Sequence, residues 1–198
     1  MFGLNRLRAN NSLYGEYITA RINARIQPID RGEFFEDPLH EVISRSGIGE
    51  VTGGGTQLAD DPDGIAFCDV EMCVGEVSEA AISTIIARLE ALGAPRGSRL
   101  ILDPGWSEIP FGQTEGMGVF LNGIDLPDVV YLECDFETAV EKLDRALGES
   151  GSYRGFWQGA HETGLYCYGA SYFRMKGAIS SFLDRYPLCE GARVVQIA

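Results

Sequence analysis

The chain has 198 residues, 45% of them hydrophobic and 23% charged, with a net charge of −13. Both halves are acidic, with nine basic against fifteen acidic residues up to position 102 and seven against fourteen beyond; such a surface repels nucleic acid and anionic lipid, whose binding depends on neutralising phosphates with Lys and Arg. No apolar run approaches the roughly 20 residues needed to cross a bilayer, the first residues lack the apolar core of a secretory signal, and five cysteines at irregular spacing make a poor disulfide framework, so a cytoplasmic protein without cofactor or metal is expected.

From Tyr17 to Gln27 the residues alternate, with Ile18, Ala20, Ile22, Ala24 and Ile26 on one face and polar residues on the other, the pattern of a half-buried strand. A short helix should follow, with Asp37 as N-cap, Pro38 at the first helical position and Gly47 as its stop. Two strands, from Ile48 to Leu58 and from Ile65 to Val74, flank a turn built on Asp60-Asp61-Pro62-Asp63-Gly64. Ser78 then caps a helix in which Ile82, Ile85, Ile86, Leu89 and Leu92 recur at helical spacing up to Gly93. A strand from Arg99 to Leu102 completes the order β-α-β-β-α-β.

Residues 103–113 are rich in Pro and Gly and read as a linker. Beyond it, Met117 to Leu121 predicts a strand and Val129 to Leu132 a further extended piece. Asp135 caps a helix carrying Phe136, Ala139, Val140, Leu143 and Leu147, and strands from Tyr153 to Gln158 and Leu165 to Tyr168 flank a turn at Ala160 to Gly164. The last helix starts at Ser171 and stops before Pro187, and Arg193 to Ile197 is the final strand.

The same order has therefore been written twice. Ala81-Ile82-Ser83-Thr84-Ile85-Ile86-Ala87-Arg88 returns as Ala178-Ile179-Ser180-Ser181-Phe182-Leu183-Asp184-Arg185, each followed by a Gly/Pro break and a basic strand start. Internal similarity of this kind points to a duplicated supersecondary unit. The expectation is an α+β protein of two tandem ferredoxin-like (β-α-β-β-α-β) repeats, 15–102 and 114–198, each an antiparallel sheet with helices on one face. The other face of each sheet then needs a cover: solvent, the other repeat, a second protomer or a ligand.

Candidate chemistry is sparse. Gly53-Gly54-Gly55-Thr56-Gln57 would let a backbone approach a phosphate or carboxylate closely, or form a β-bulge; it lacks the Lys and the following helix of a nucleotide-binding loop. Asp69 and Glu71 share a strand face about 7 Å apart, the kind of pair that does acid-base work or merely solvates a sheet. Asp60, Asp61 and Asp63 sit in a loop too short for an EF-hand. Cys68 and Cys73 point to opposite faces of one strand, which excludes a shared metal or bridge. An aromatic cluster, Tyr153, Phe156, Trp157, Tyr166, Tyr168, Tyr172 and Phe173, surrounds His161 and Glu162. Tyr166 and Tyr168 share one face, Tyr153 and Trp157 another, and they suit a pocket wall or an interface between repeats.

Two readings follow. A non-enzymatic protein-binding module, like an immunity or inhibitor protein in physical character, would present acidic surface to a basic protein; nine acids and no base lie between Asp103 and Glu141. The alternative is a small-ligand binder or enzyme with its site between the repeats, lined by Gly53, Gly54, Gly55, Thr56, Gln57, Asp69, Glu71, Trp157, His161, Tyr166 and Tyr168.

Overall fold

A computed structural model describes residues 15–60, 63–102 and 107–198, and these form an α+β protein with two antiparallel sheets. The first half contributes β1 (Glu16–Ile22), α1 (Pro28–Arg31), α2 (Asp37–Arg45), β2 (Gly49–Leu58), β3 (Ile65–Val74), α3 (Glu79–Ala91), β4 (Ser98–Ile101) and β5 (Glu108–Phe111). Its sheet runs β2-β3-β1-β4-β5. Register places Ile18 opposite Met72, Ala20 opposite Val70 and Ile22 opposite Cys68, so the even positions of β1 form one buried face with Leu39 and Ile43 of α2 and Ile85 and Leu89 of α3.

Three local readings change. The alternation through Gln27 is real in burial, since Ala24 and Ile26 are buried, but ladder pairing stops at Ile22. Beyond it, tertiary partners take over the backbone donors: the Ser98 hydroxyl accepts from Asn23 N–H and the Tyr168 hydroxyl from Arg25 N–H. Asp37 is not a cap, because helical structure already begins at Pro28 and continues through a π-helical turn, Gly32–Glu36, into α2. Proline inside a helix removes a donor and crowds the preceding turn; the wider turn before Pro38, closed by Asp37 N–H on Gly32 O, accommodates it. The segment expected only to link the halves supplies β5, which pairs Ile109 with Leu100 and Phe111 with Ser98.

The second half contributes β6 (Glu115–Asn122), α4 (Asp128–Glu133), α5 (Phe136–Leu147), β7 (Ser152–Gln158), β8 (Glu162–Gly169), α6 (Tyr172–Leu183) and β9 (Arg193–Gln196). Its sheet runs β7-β8-β6-β9. Met117, Val119 and Leu121 pack with Leu165 and Cys167 under α5 and α6. Asp135 and Ser171 cap these helices, accepting from Thr138 N–H and Arg174 N–H as Ser78 does from Ala81 N–H. The extended piece read at Val129 to Leu132 is instead helix α4. Tyr153 and Trp157 do not share a face: a bulge between Tyr153 and Gly155 shifts the register of β7, so Tyr153 packs under the helices and Trp157 on the other side.

The outer face of this second sheet is covered by the first half. Phe120, Tyr166 and Tyr168 belong to the same buried cluster as Ala24, Ile26, Phe35 and Ala94. Tyr166 donates its hydroxyl to Asp63 O at 2.8 Å, Gln27 Nε2 donates to Phe156 O at 2.7 Å, and the Arg154 guanidinium lies over the Phe34 ring. Gly64 sits against the Trp157 indole with φ at +66°, so a side chain there would be both strained and blocked. All five cysteines are free, with Cys68 and Cys73 on opposite faces of β3. Among the described residues no three or more His, Cys, Asp or Glu gather as a metal site, and no helix is long and apolar enough to cross a membrane.

Candidate functional site

The residues singled out by sequence fall in three places. Gly53, Gly55 and Gln57 share the outer face of the first sheet with Asp69 and Glu71, each glycine lying directly across from one of these acids. Gly54 and Thr56 face the other way, where Arg31, buried, bonds Glu36 and donates to Thr56 Oγ1 at 2.8 Å. Asp69 is held by a two-pronged ion pair with Arg21, both contacts at 3.0 Å, and Arg21 stacks over Phe67. The hydrogen bond to Asp69 is the main cause that raises the Arg21 pKa, partly opposed by its own burial. A carboxylate fixed in this way is an anchor for Arg21, and Glu71 beside it has no ion pair among the described residues.

Trp157, Tyr166 and Tyr168 lie in the contact between the halves, where Tyr166 and Tyr168 are buried and hydrogen-bonded. Burial is the first cause raising the pKa of both phenols, which keeps them neutral donors and acceptors. His161 is exposed at the turn before β8. Its neighbour Glu162 turns to Arg193 through contacts of 2.9 and 2.6 Å, and that bond holds its carboxyl below the usual range. The Asp-rich turn is used structurally, with Asp63 binding Arg25 at 2.7 Å; Asp61 lies outside the described residues.

A different place has the shape of a site. Between the end of β6, α4 and the start of α5 lies a half-open hollow of about 630 Å³, within the range of roughly 300–1,000 Å³ that ligand sites occupy. Leu121, Leu132, Cys134, Phe136, Phe156 and Leu188 give it an apolar lining, Asn122, Gln158 and Thr163 add neutral polar groups, and no lining residue is basic. Local hydrogen bonds fix its wall. Asn122 Oδ1 accepts from Ile124 N–H and Asp125 N–H, both at 3.0 Å, and the Tyr131 hydroxyl accepts from Leu126 N–H while donating to Asn122 O. Tyr186 donates to Asp135 O at 2.7 Å from behind, and the backbone donor of Thr138 holds the Asp135 carboxyl low.

With Leu126, Val130 and Tyr131 turned inward, this segment presents Ile124, Val129 and Leu132 outward, at 54%, 52% and 85% exposure. Asp125, Asp128, Glu133 and Glu137 are exposed around them with no ion pair among the described residues. Three exposed large apolar side chains and unpaired acids within one short segment make it a candidate interaction surface. Sequence reasoning found the acids and missed the three apolar residues, whose only signal was their place among unneutralised acids. A second hollow of about 300 Å³ between α5 and α6 is lined by Lys142, Ser181, Phe182, Arg185 and Tyr186, and Lys142 lies over the Tyr186 ring there.

No protein-family model matches this chain, and no curated protein matches it. Among solved structures it is similar to an unknown protein from Galdieria sulphuraria (10% identity, 91% of this chain and 96% of that one, TM-score 0.30). It is also similar to the first two RRM domains of yeast poly(U) binding protein (10% identity, 91% and 99%, TM-score 0.26) and to the regulatory subunit of aspartate kinase from Thermus thermophilus (11% identity, 84% and 92%, TM-score 0.26). Likeness at this level assigns this chain no function.

Proposed function

We propose that this protein is a non-enzymatic binding module that recognises a basic protein through the acidic surface of its second half, in the cytoplasm. We read its frame as two tandem ferredoxin-like repeats, 15–102 and 114–198, joined by residues 103–113. That reading is supported by the corresponding strand orders of the two sheets, β2-β3-β1-β4 and β7-β8-β6-β9, and by α3 and α6 each preceding the last strand of the repeat. The repeated motif begins three residues after the Ser78 cap in α3 and seven after the Ser171 cap in α6, a one-turn offset that keeps the same helix face.

The functional reading rests on one observation: Asp125, Asp128, Glu133, Glu137 and Glu141 are all exposed and without an ion pair among the described residues. Other acids, Asp69, Glu108, Glu115 and Glu162 among them, are neutralised locally by arginines. Unpaired charge of one sign steers an opposite partner and raises its association rate at low ionic strength. The small-ligand alternative draws on Gly53 to Gln57, Asp69 and Glu71, together with the aromatics between the halves.

The test is quantitative capture from an extract of the source organism at about 50 mM salt, with elution at about 500 mM, where the screening length is several-fold shorter. Immobilised protein should retain a basic protein that the Asp125→Lys, Asp128→Lys variant loses, and the variant should slow association more than it speeds release. Recovery of no basic protein, with a metabolite that raises the melting temperature unless Trp157→Ala is present, would replace this reading with the ligand site.

A further inference from the structure

Resting on that acidic-module reading, we infer that the hollow beside α4 is the anchor point for the partner, and that its occupant is a basic polypeptide segment that inserts an apolar side chain. Three properties combine. The hollow is half open, with Leu121, Phe136, Phe156 and Leu188 in its lining beside polar groups. Leu132 at its edge, like Ile124 and Val129 of the same segment, is left exposed. The hollow's charged lining residues are the acids Glu133 and Asp135, with no base, and Asp125, Asp128 and Glu137 of the neighbouring segments are exposed.

Each property removes a competing occupant. A small metabolite filling the hollow would leave Ile124 and Val129 in water, whereas a polypeptide covers the hollow and the helix together. A second copy of this chain would bring the same acids against themselves in a two-fold contact, within a molecule already at −13, and like charges so placed repel. Anionic lipid meets the same repulsion. A segment with one or two large apolar side chains flanked by Lys or Arg satisfies both the lining and the rim, and the side chains of Gln158 and Thr163, which make no hydrogen bond among the described residues, face the hollow where they can bond its backbone. The site is preformed, because Asn122 and Tyr131 pin the segment that walls it, so little ordering opposes binding.

The experiment uses the full chain and two fluorescein-labelled 16-residue peptides, one of Lys and Leu patterned as an amphipathic helix and one with every Leu replaced by Ser. The Lys/Leu peptide should bind at about 50 mM salt and shift the backbone amide resonances of residues 121–136 together with those of Phe156, Thr163 and Leu188. Val129→Ser with Leu132→Ser, both at exposed positions that leave the core intact, should weaken it by at least about tenfold, the equivalent of one large apolar contact. Resonance shifts confined to another surface, or affinity unchanged in that variant, overturn the proposal. Equal binding of both peptides with no effect of the variant removes the hollow while leaving the acidic-surface reading in place. Failure of both peptides to bind removes both readings, and a dimer seen by sedimentation and lost in the variant assigns the hollow to a second copy instead.

Discussion

The outer faces of the two sheets invite direct comparison, because their first four strands lie in the same order and yet one face is buried and the other is not. On the first sheet the outward positions include Thr19, Arg21, Asp69, Glu71, Arg99 and Glu108, with Arg21 paired to Asp69 and Arg99 to Glu108, beside Tyr17, Phe67 and Ile101. On the second they include Gly118, Phe120, Gly164, Tyr166 and Tyr168, all buried, with the Glu162–Arg193 ion pair at the edge of the face. The central side chains mark the difference. Gly118 and Gly164 are the recesses in which the Phe120 and Tyr166 rings lie, and the two tyrosine hydroxyls satisfy backbone groups of Arg25 and Asp63 that would otherwise lose water on contact. A sheet face becomes an interface when it offers buried aromatic area with a polar handle at its rim, as Tyr166 and Tyr168 do here.

The largest test of this contrast is truncation on each face. Tyr168→Ala removes a buried ring and leaves Arg25 N–H without its acceptor, and should cost about 3–5 kcal/mol in urea unfolding. Asp69→Ala, on the free face, breaks a half-exposed ion pair and should cost less than about 1 kcal/mol. Equal costs would mean that the first sheet is covered as well.

How far the sequence reveals this depends on the range of the interaction. Ser78, Asp135 and Ser171 were readable as caps because a capping bond closes within three residues. The alternation of Ile18, Ala20 and Ile22 was readable because one face of β1 is buried throughout. Asp37-Pro38 carries the local signature of a helix start and misleads, since the preceding π turn is what allows the helix to run through it. Val129 to Leu132 has strand-like composition, but Tyr131 reaches back to Asn122 O and Leu126 N–H and closes the segment into a helix. β5 escaped because its existence depends on pairing with β4 and not on its own Pro-containing sequence. The acidic run was visible along the chain; the hollow beside it was not, because a hollow is defined by what distant residues such as Phe156 and Leu188 fail to fill.

Alkali should act on the covered side of the comparison. Burial pushes the Cys68 and Cys189 thiols up to about 12 and raises Cys167, and it likewise pushes Tyr153 up to about 12 and raises Tyr168. These groups lie in the two helix-covered cores or on the covered face. Their folded pKa values exceed those of the unfolded chain, near 9 for thiols and 10 for phenols. The stability they contribute is therefore complete below pH of about 9 and is lost as pH rises toward 12. Three buried thiols should remove about 4 kcal/mol by pH 10, read from urea midpoints at pH 8, 9 and 10. A flat profile would show that water already reaches these cores.

The smallest effect is the most discriminating about the free face. Gly55 points outward across from Asp69, nothing lies within 4 Å of where a Cβ would stand, and its φ is outside the left-handed region. Alanine there restricts the unfolded chain without meeting a neighbour, so Gly55→Ala should raise stability by about 0.5–1 kcal/mol. Gly118→Ala, on the covered face and against the Phe120 ring, should instead lower it by about 1–3 kcal/mol. Opposite signs from two glycine-to-alanine changes at outward positions of the two sheets would locate the difference in what covers each face. If Gly55→Ala destabilises the chain, then something packs over the glycine strand, and the close backbone approach that Gly53 to Gly55 permit is in use.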